Sequence, residues 1–431
     1  MSERNEQPDP DAIQAMMRHR LTRRGFLRTA GMGVAGGVAI PSLLAACGGG
    51  GTSGKKIWDA KEVFSGQPGD MINFANWPLY IDKAKDSDGN VYYPSLAKFT
   101  KETDIQVTYK EAIQDNPVFF GKIQPQLSAG QPTGWDIIVM SNGWESYVMM
   151  QRGWVYPLDT SKRPTFDKYA VGWAKDPNYD PGAAYSMVYQ WGLTSIAVNH
   201  DLVTAPITKL DDLMDTKKLP PASVGMLVDD MKDFVMKNLG IDPVTSGPPE
   251  WKEAAAWLLK QRDTGVVRGY YAQGYTDELT AGNVAASMAW SGDVVYYDVW
   301  GGYSNLEFLV PEGGCCAWAD NMMIPAYAAN PVGALELMDW YYRPDIATGL
   351  QIWVMYMSPC TATKQGFLDE AQAAEEKGWK GYASKLYTSA KSEFIFPSDE
   401  FMSQEVSWMR QLKTQEEKDE WDAIFGPISE G

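Results

Sequence analysis

The sequence predicts an α/β protein, and three observations carry that expectation. Short apolar runs such as Met71-Ile72-Asn73-Phe74-Ala75 and Ile137-Ile138-Val139-Met140 have the length and continuous hydrophobicity of strands buried on both faces of a parallel sheet. Between such runs lie segments whose apolar residues recur at helical spacing, most clearly over 251–262. The apolar runs also break off at loops rich in Trp, Tyr, Ser and Asp, the place where open α/β sheets bind their ligands. A chain of 431 residues, 45% hydrophobic, is long enough for two or more domains with buried cores. Its 17 tryptophans and 22 tyrosines exceed what packing needs, which points to ring faces used to grip a ligand.

From the N-terminus, Thr22-Arg23-Arg24-Gly25-Phe26-Leu27-Arg28 resembles a bacterial twin-arginine export signal. Residues 31–46 are weakly apolar, Gly-rich and broken by Pro41, too short and too polar for a membrane span. They end in Leu44-Ala45-Ala46-Cys47, which resembles a lipobox, where cleavage precedes a cysteine that becomes lipid-modified. The expectation is a signal peptide over 1–46 and a lipid anchor on Cys47, with 47–67 as a flexible tether. That places the protein outside the cytoplasm, in the cell envelope, held to a membrane by its lipid.

The net charge is −17, and residues 1–46 carry six arginines against four acids, so processing would leave about −19. Nucleic acid, with its phosphates, is excluded as a partner, whereas a cationic solute would be tolerated or attracted. Only His200 would remain after processing, and no CxxC or HExxH spacing occurs, so neither a metal nor a cofactor is expected. Vicinal Cys315 and Cys316 cannot easily bridge each other; a link from one of them to Cys360 stays open in an oxidising compartment.

In order along the chain, a strand over 71–75 stops before Asn76-Trp77-Pro78-Leu79-Tyr80, because proline ends it and leaves Trp77 and Tyr80 on the following loop. A polar insert at 82–93 leads to a helix over 94–102 and a strand over 106–110. A helix over 119–127 precedes the strand 135–140, which ends at Ser141-Asn142-Gly143-Trp144. The stretch 189–199 reads as a strand leaving a first lobe. The strand 224–228 ends in Asp229-Asp230-Met231-Lys232-Asp233, where an acid is expected to cap the next helix. The strand 284–290 ends in Ser291-Gly292-Asp293. The strand 306–310 leads to Glu312–Pro325, the stretch around which the chain is organised. There Trp318 and Asp320 stand two apart, on one face of a strand, and are expected at its end. A ring beside a carboxylate can hold an organic cation by cation–π attraction and a charge-assisted hydrogen bond. The apolar segment from Met322 then returns to the first lobe, followed by a helix from Pro331, Tyr356 before Ser358-Pro359, and a charged, largely helical end.

Trp77 with Tyr80, Ser141 with Trp144, Asp230 with Asp233, Trp290 with Asp293, and Trp318 with Asp320 thus recur at equivalent places, with Tyr356 as a sixth. Singly, each has a bland reading as a core ring or a helix cap. Together they describe an aromatic slot lined with carboxylates.

With these motifs assembled, residues 71–359 resemble the spermidine/putrescine-binding proteins of bacterial ABC importers, the polyamine branch of the periplasmic binding proteins. The resemblance rests on Asn76-Trp77-x-x-Tyr80, Phe99-Thr100-Lys101-Glu102-Thr103, Asp136-Ile137-Ile138-Val139-x-Ser141, Trp191-Gly192 through Asn199, Asp229-Asp230, Met288-Ala289-Trp290-Ser291-Gly292, Glu312 through Pro325, and Arg343-Pro344-Asp345. It implies a two-lobed, type II-like periplasmic-binding-protein fold, each lobe a central sheet flanked by helices, with the ligand cleft between them. Lobe 1 would hold 68–192 and 322–375, lobe 2 would hold 193–321 and 376–431, and the hinges would lie near 191–199 and 318–325. It also implies ligand roles. Trp77 and Tyr80 would stack on the polyamine, Ser141 would line the cleft, and Asp230, or Asp233 one turn on, would take one amine. Trp290 would form a wall, Asp293 and Asp320 would hold the other amines, and Trp318 and Tyr356 would complete the box. The protein would be a monomer that passes spermidine or putrescine to a membrane permease, and not an enzyme. Pro78, Gly143 and Asp233 depart from the residues common in relatives, which bears on polyamine chain length.

Two other readings stand beside this one. The same fold could serve another amine, an amino acid derivative or an opine. Aromatic platforms with acids also describe an exported glycoside hydrolase, but retention would need two carboxyls about 5–5.5 Å apart, and no pair with clear acid/base asymmetry stands out.

Overall fold

The computed structural model describes residues 56–203 and 205–429. The segment expected as a signal peptide, Cys47 and most of the expected tether lie outside the described residues. Residues 56–67, expected as part of that tether, are docked on the protein. The Trp58 ring packs edge-on against Tyr156 and Tyr327 at 4.8 and 5.3 Å, and its Nε1 donates to the Gly153 carbonyl at 2.8 Å. An amphipathic ring that satisfies its N–H inside the fold overrides the local composition.

Twelve strands occur among the described residues: β1 Met71–Asn76, β2 Ala84–Lys85, β3 Val91–Tyr92, β4 Gln106–Glu111, β5 Ile137–Ser141, β6 Ser186–Asn199, β7 Val224–Leu227, β8 Val267–Tyr271, β9 Ala286–Trp290, β10 Leu306–Leu309, β11 Cys315–Met323 and β12 Val406–Trp408. Strands β2 and β3 form a small hairpin in the polar insert. The others join one sheet in the order β4-β1-β5-β11-β6-β9-β7-β8, with β10 added to β6 and β12 to β11. Strands β4, β1 and β5 are parallel, as are β8, β7 and β9, and the antiparallel pair β6 and β11 runs between the two groups.

Helices cover the sheet because the parallel strands are apolar on both faces. On the β1 side, Pro94–Thr103 starts with proline in its first turn and stops at Asp104 in the left-handed region, φ 61°. Helix Pro331–Trp340 is capped by Asn330, whose Oδ1 accepts from the Gly333 N–H at 3.0 Å. Buried Asp136 locks this end of the lobe by accepting from the Asn73 and Asn330 N–H groups, both at 2.8 Å. Helices Asn116–Ser128 and Trp144–Arg152 cover the opposite face. Around the β7–β9 group, Met231–Asn238, Pro248–Asp263 and Gln415–Ser429 build a separate core on Phe234, Trp251 and Phe425. Each fully buried ring or branched chain in these cores contributes about 1.5–3 kcal/mol.

The chain therefore forms two lobes joined through β6 and β11, and it crosses a third time after Ile395, where Phe394 packs on both cores. Helix Lys380–Lys391, expected with lobe 2, packs on Thr363–Glu376 in the first lobe through Tyr382 and Leu386. The stretch 189–199, read as one strand leaving the first lobe, lies within β6, while the organising stretch and the returning segment from Met322 join in one strand, β11; every residue of both strands is buried.

Candidate functional site

Between the lobes lies a cavity of about 470 Å³, and all ten residues singled out in the sequence line it. The first lobe supplies three of them from the ends of parallel strands. At the end of β1, the Asn76 side chain accepts from the Trp77 N–H at 2.8 Å and turns the chain, leaving Trp77 at the cavity and burying Tyr80. Ser141 ends β5. The second lobe contributes in the same way: β7 runs on to Asp230 and Asp233, and β9 ends in Trp290, with Asp293 in the first turn of helix Ser291–Val295.

Trp318 and Asp320 were expected at a strand end and instead sit in the middle of β11, where it passes from one lobe to the other. The two share the cavity face as their spacing requires. Just beyond Asp320 the pairing with β6 slips, Asp320 facing Gln190 and Asn321 facing Val188. A bulge of this kind bends a strand and re-aims a side chain.

The rings form a continuous wall. Tyr80 lies 5.4 Å from Tyr356, Tyr356 lies 5.5 Å from Trp318, Trp318 lies 6.3 Å from Trp290, and Trp290 lies 5.6 Å from Tyr275. Carboxylates are set into that wall, each held by neutral donors. Ser141 Oγ donates to Asp320 Oδ1 at 2.7 Å. Trp290 Nε1 donates to Asp230 Oδ2 at 2.7 Å, joined there by the Thr194 hydroxyl, which also accepts from Trp318 Nε1 at 3.1 Å. The Tyr275 hydroxyl donates to Asp293 Oδ2 at 2.8 Å and accepts from the Trp290 N–H at 2.9 Å, and burial, with the Asp293 charge after it, raises the Tyr356 phenol above its usual value.

Burial pushes the Asp320 carboxyl up to about 6, against the lowering effect of Ser141 and of the nearby Tyr80 hydroxyl, with the charge of Asp230 adding to the rise. Burial likewise lifts Asp230 to about 6, against its bonds from Thr194 and Trp290. Among the described residues no lysine or arginine forms an ion pair with either. Desolvated carboxylates without a counter-cation are costly, and an ammonium placed between them would remove that cost.

Two assignments change. An acid was expected to cap the helix after β7, but Asp230, at its N-cap position, makes no side-chain cap bond and turns to Trp290 and Thr194, toward the cavity as its ligand role requires. Asp233 reaches the cavity wall, but its Oδ1 accepts from the Arg410 N–H at 2.8 Å, and burial pushes its carboxyl up to about 7. It pins the C-terminal segment that carries Met409 and Leu412 to the cavity. Tyr275 and Thr194, which hold the carboxylates, were missed, and so were Asp115 and Glu145, which also line the cavity. Tyr275 opens the short helix Tyr275–Thr280, whose sequence carries no local sign of bonding to Asp293. Among the described residues no group of three His, Cys, Asp or Glu side chains could hold a metal ion, and no helix is long and apolar enough to cross a membrane. Cys315, Cys316 and Cys360 are buried free thiols, with Cys315 in the second core and Cys360 in the first.

A two-lobed α/β fold whose lobes meet over a cavity of ring faces and buried carboxylates defines a protein that traps a small solute. The chain belongs to the family of bacterial extracellular solute-binding proteins, whose pattern matches residues 95–377. It is 27% identical over 335 residues to the spermidine/putrescine-binding periplasmic protein of Salmonella typhimurium, covering 74% of this chain and 89% of the relative. It is 28% identical over 307 residues to the putrescine-binding periplasmic protein PotF of Escherichia coli, covering 66% and 76%. In three dimensions it resembles a putative spermidine/putrescine ABC transporter protein from Listeria monocytogenes, with TM-score 0.66 and 22% identity, over 84% of this chain and 99% of that one.

Proposed function

We propose that the protein captures a polyamine, spermidine or putrescine, outside the cytoplasm and delivers it to an ABC importer. The observation that carries this reading is the pair Asp230 and Asp320: two carboxylates buried beside Trp290 and Trp318, pushed up to about 6 by burial, with no basic side chain paired to them among the described residues. A polyamine is an apolar chain with protonated nitrogens at fixed spacing. Its methylenes suit the faces of Trp77, Tyr80, Trp318 and Tyr356, and its ammonium groups suit Asp230, Asp293 and Asp320. Relatives named for spermidine and putrescine support the same chemistry.

In this reading the lobes, about 68–192 with 322–375 and 193–321 with most of the remaining chain, close around hinges in β6 and β11. Ligand favours the closed state only by its extra affinity for it. Cleavage before Cys47 and its acylation anchor the protein at the membrane beside its permease, where it works as a monomer.

Titration calorimetry on the protein carrying Cys47→Ser, with putrescine, spermidine, spermine and a neutral sugar, tests the reading. Tight one-to-one binding of a polyamine, with compaction in solution scattering, is the expected result. Silence toward every polyamine would move the ligand to another amine, an amino acid derivative or an opine.

A further inference from the structure

Tyr356 lies in a slot made by two glycines. A Cβ on Gly292 would stand 2.6, 2.7 and 2.8 Å from Tyr356 Cγ, Cδ1 and Cδ2, so the ring lies directly on the Gly292 backbone. A Cβ on Gly192 would stand 2.7 Å from Trp318 Cζ2 and 3.1 Å from Tyr356 Cδ1. Gly292 opens the second lobe's helix Ser291–Val295, while Gly192 lies on β6 opposite Trp318. The slot is therefore built from one lobe and from the strand that joins the lobes.

The backbone of Tyr356 has little room to retreat. Met355 before it is in the left-handed region, φ 60°, and Met357 after it exchanges two hydrogen bonds with Trp191, both at 3.0 Å. With the backbone held, an added methyl at 292 can be accommodated only by swinging the ring away from the second lobe. That direction leads into the cavity, toward Tyr80, whose ring is 5.4 Å away.

We propose that Gly192 and Gly292 are specificity-determining residues: by lacking a Cβ they let Tyr356 lie back against the second lobe, which keeps the cavity long enough for a polyamine with more than two amines. The inference rests on the polyamine reading of the site and deepens it. The glycines touch no ligand themselves; they set the position of the ring that does.

The test is calorimetry on the full-length protein and its variants with putrescine, spermidine and spermine, beside thermal unfolding and a crystal structure of ligand-free Gly292→Ala. Gly292→Ala is expected to lower the spermidine-to-putrescine affinity ratio at least tenfold, with Gly192→Ala acting in the same direction. In a Tyr356→Leu background, Gly292→Ala should leave the ratio unchanged, because the ring it displaces is gone. The ligand-free structure should show Tyr356 turned into the cavity. A folded Gly292→Ala with the wild-type ratio, or with the ring in place, would overturn the proposal. So would equal effects of Gly292→Ala in the two backgrounds. If Gly292→Ala does not fold, Tyr356→Leu alone should raise the spermine-to-putrescine ratio, and an unchanged ratio would overturn the idea. Should the wild-type protein bind no polyamine, the functional reading fails, and the crystallographic position of Tyr356 still decides the slot.

Discussion

The molecule has a second large hollow, and its contrast with the interlobe cavity shows what makes a ligand site. The hollow, of about 620 Å³, lies on the first lobe among Asp82, Pro94, Asp345, Thr348, Trp353 and Tyr382, so it too combines rings with acids. One of its acids, Asp345, is already paired with cations. Lys98 Nζ reaches Asp345 at 2.6 Å and Arg343 reaches it at 3.2 Å. Burial pushes the Asp345 carboxyl up, but these two cations outweigh it and hold the group below the usual carboxylate range. Asp82 accepts from the Ser95 N–H at 2.7 Å and from its hydroxyl. Between the lobes no lysine or arginine forms an ion pair with Asp230 or Asp320 among the described residues; the Lys232 charge acts on Asp230, but burial outweighs it and pushes both carboxyls upward. Volume, aromatic surface and a carboxylate raised by burial, Asp82 in the hollow, are common to both places; what separates them is that Asp345 in the hollow is ion-paired, whereas Asp230 and Asp320 share one cavity with no such pair among the described residues.

The contrast can be broken by removing one carboxylate from each place. Asp320→Asn should cost polyamine binding about 2–5 kcal/mol, the cost of leaving a buried ammonium without its counter-charge. In calorimetry, an affinity within twofold of wild type would remove Asp320 from the site. Replacing the neighbouring ring, Trp318→Leu, should cost less, about 2 kcal/mol, since cation–π attraction and one wall are lost while the charge remains.

The pH response sharpens the comparison next. Burial raises Asp230 and Asp320 to about 6 and Asp233 to about 7, so the ligand-free fold holds protons that the unfolded chain has already released above about pH 4. Ligand-free stability from these groups should therefore fall as pH rises from about 4 to 7. Polyamine affinity should rise through the upper part of that window, with protons released on binding near pH 6. Thermal melts and calorimetry in buffers of different ionisation enthalpy read the two trends, and affinity independent of pH between 5 and 7 would contradict them. The smallest effect is expected in the hollow. Asp345→Asn removes partly exposed ion pairs, so stability should change by about 0.2–1 kcal/mol and binding not at all.

The contrast also explains what could be read from the chain alone. Strand ends are legible because a parallel strand buried on both faces must be apolar, and the point where polar and aromatic residues begin marks the cleft. Trp77, Ser141 and Trp290 were found this way. Of the two through-strands, β6 was legible as a strand leaving the first lobe, but β11 was harder, because a strand crossing between two cores looks locally like two strands that meet. For that reason Trp318 and Asp320 were assigned to an end when they lie in the middle. Asp230 before a helix carries the local signature of a cap, and only the tertiary approach of Trp290 shows otherwise. Tyr275, Thr194 and the slot glycines act through partners far along the chain, and no local pattern encodes such pairings. Gly192 and Gly292 stood in the recognised motifs Trp191-Gly192 and Ser291-Gly292, yet their role emerges only when the Tyr356 ring is seen lying on them.

Strand β6 also shapes how the protein comes into being. All fourteen of its residues are buried, and its long neighbour β11 is made only after more than a hundred further residues. Neither lobe is a continuous stretch of chain, so no single cut releases one as an autonomous unit. During synthesis the second-lobe half of β6 can pair with β9 and β10 as they emerge, but the edge of β6 that pairs with β11 stays uncovered until residue 323 has emerged. Non-local pairing of this kind makes for slow folding and for aggregation-prone intermediates. Yield in the cell should depend on how well that edge is shielded, and truncated chains ending before 323 should be insoluble.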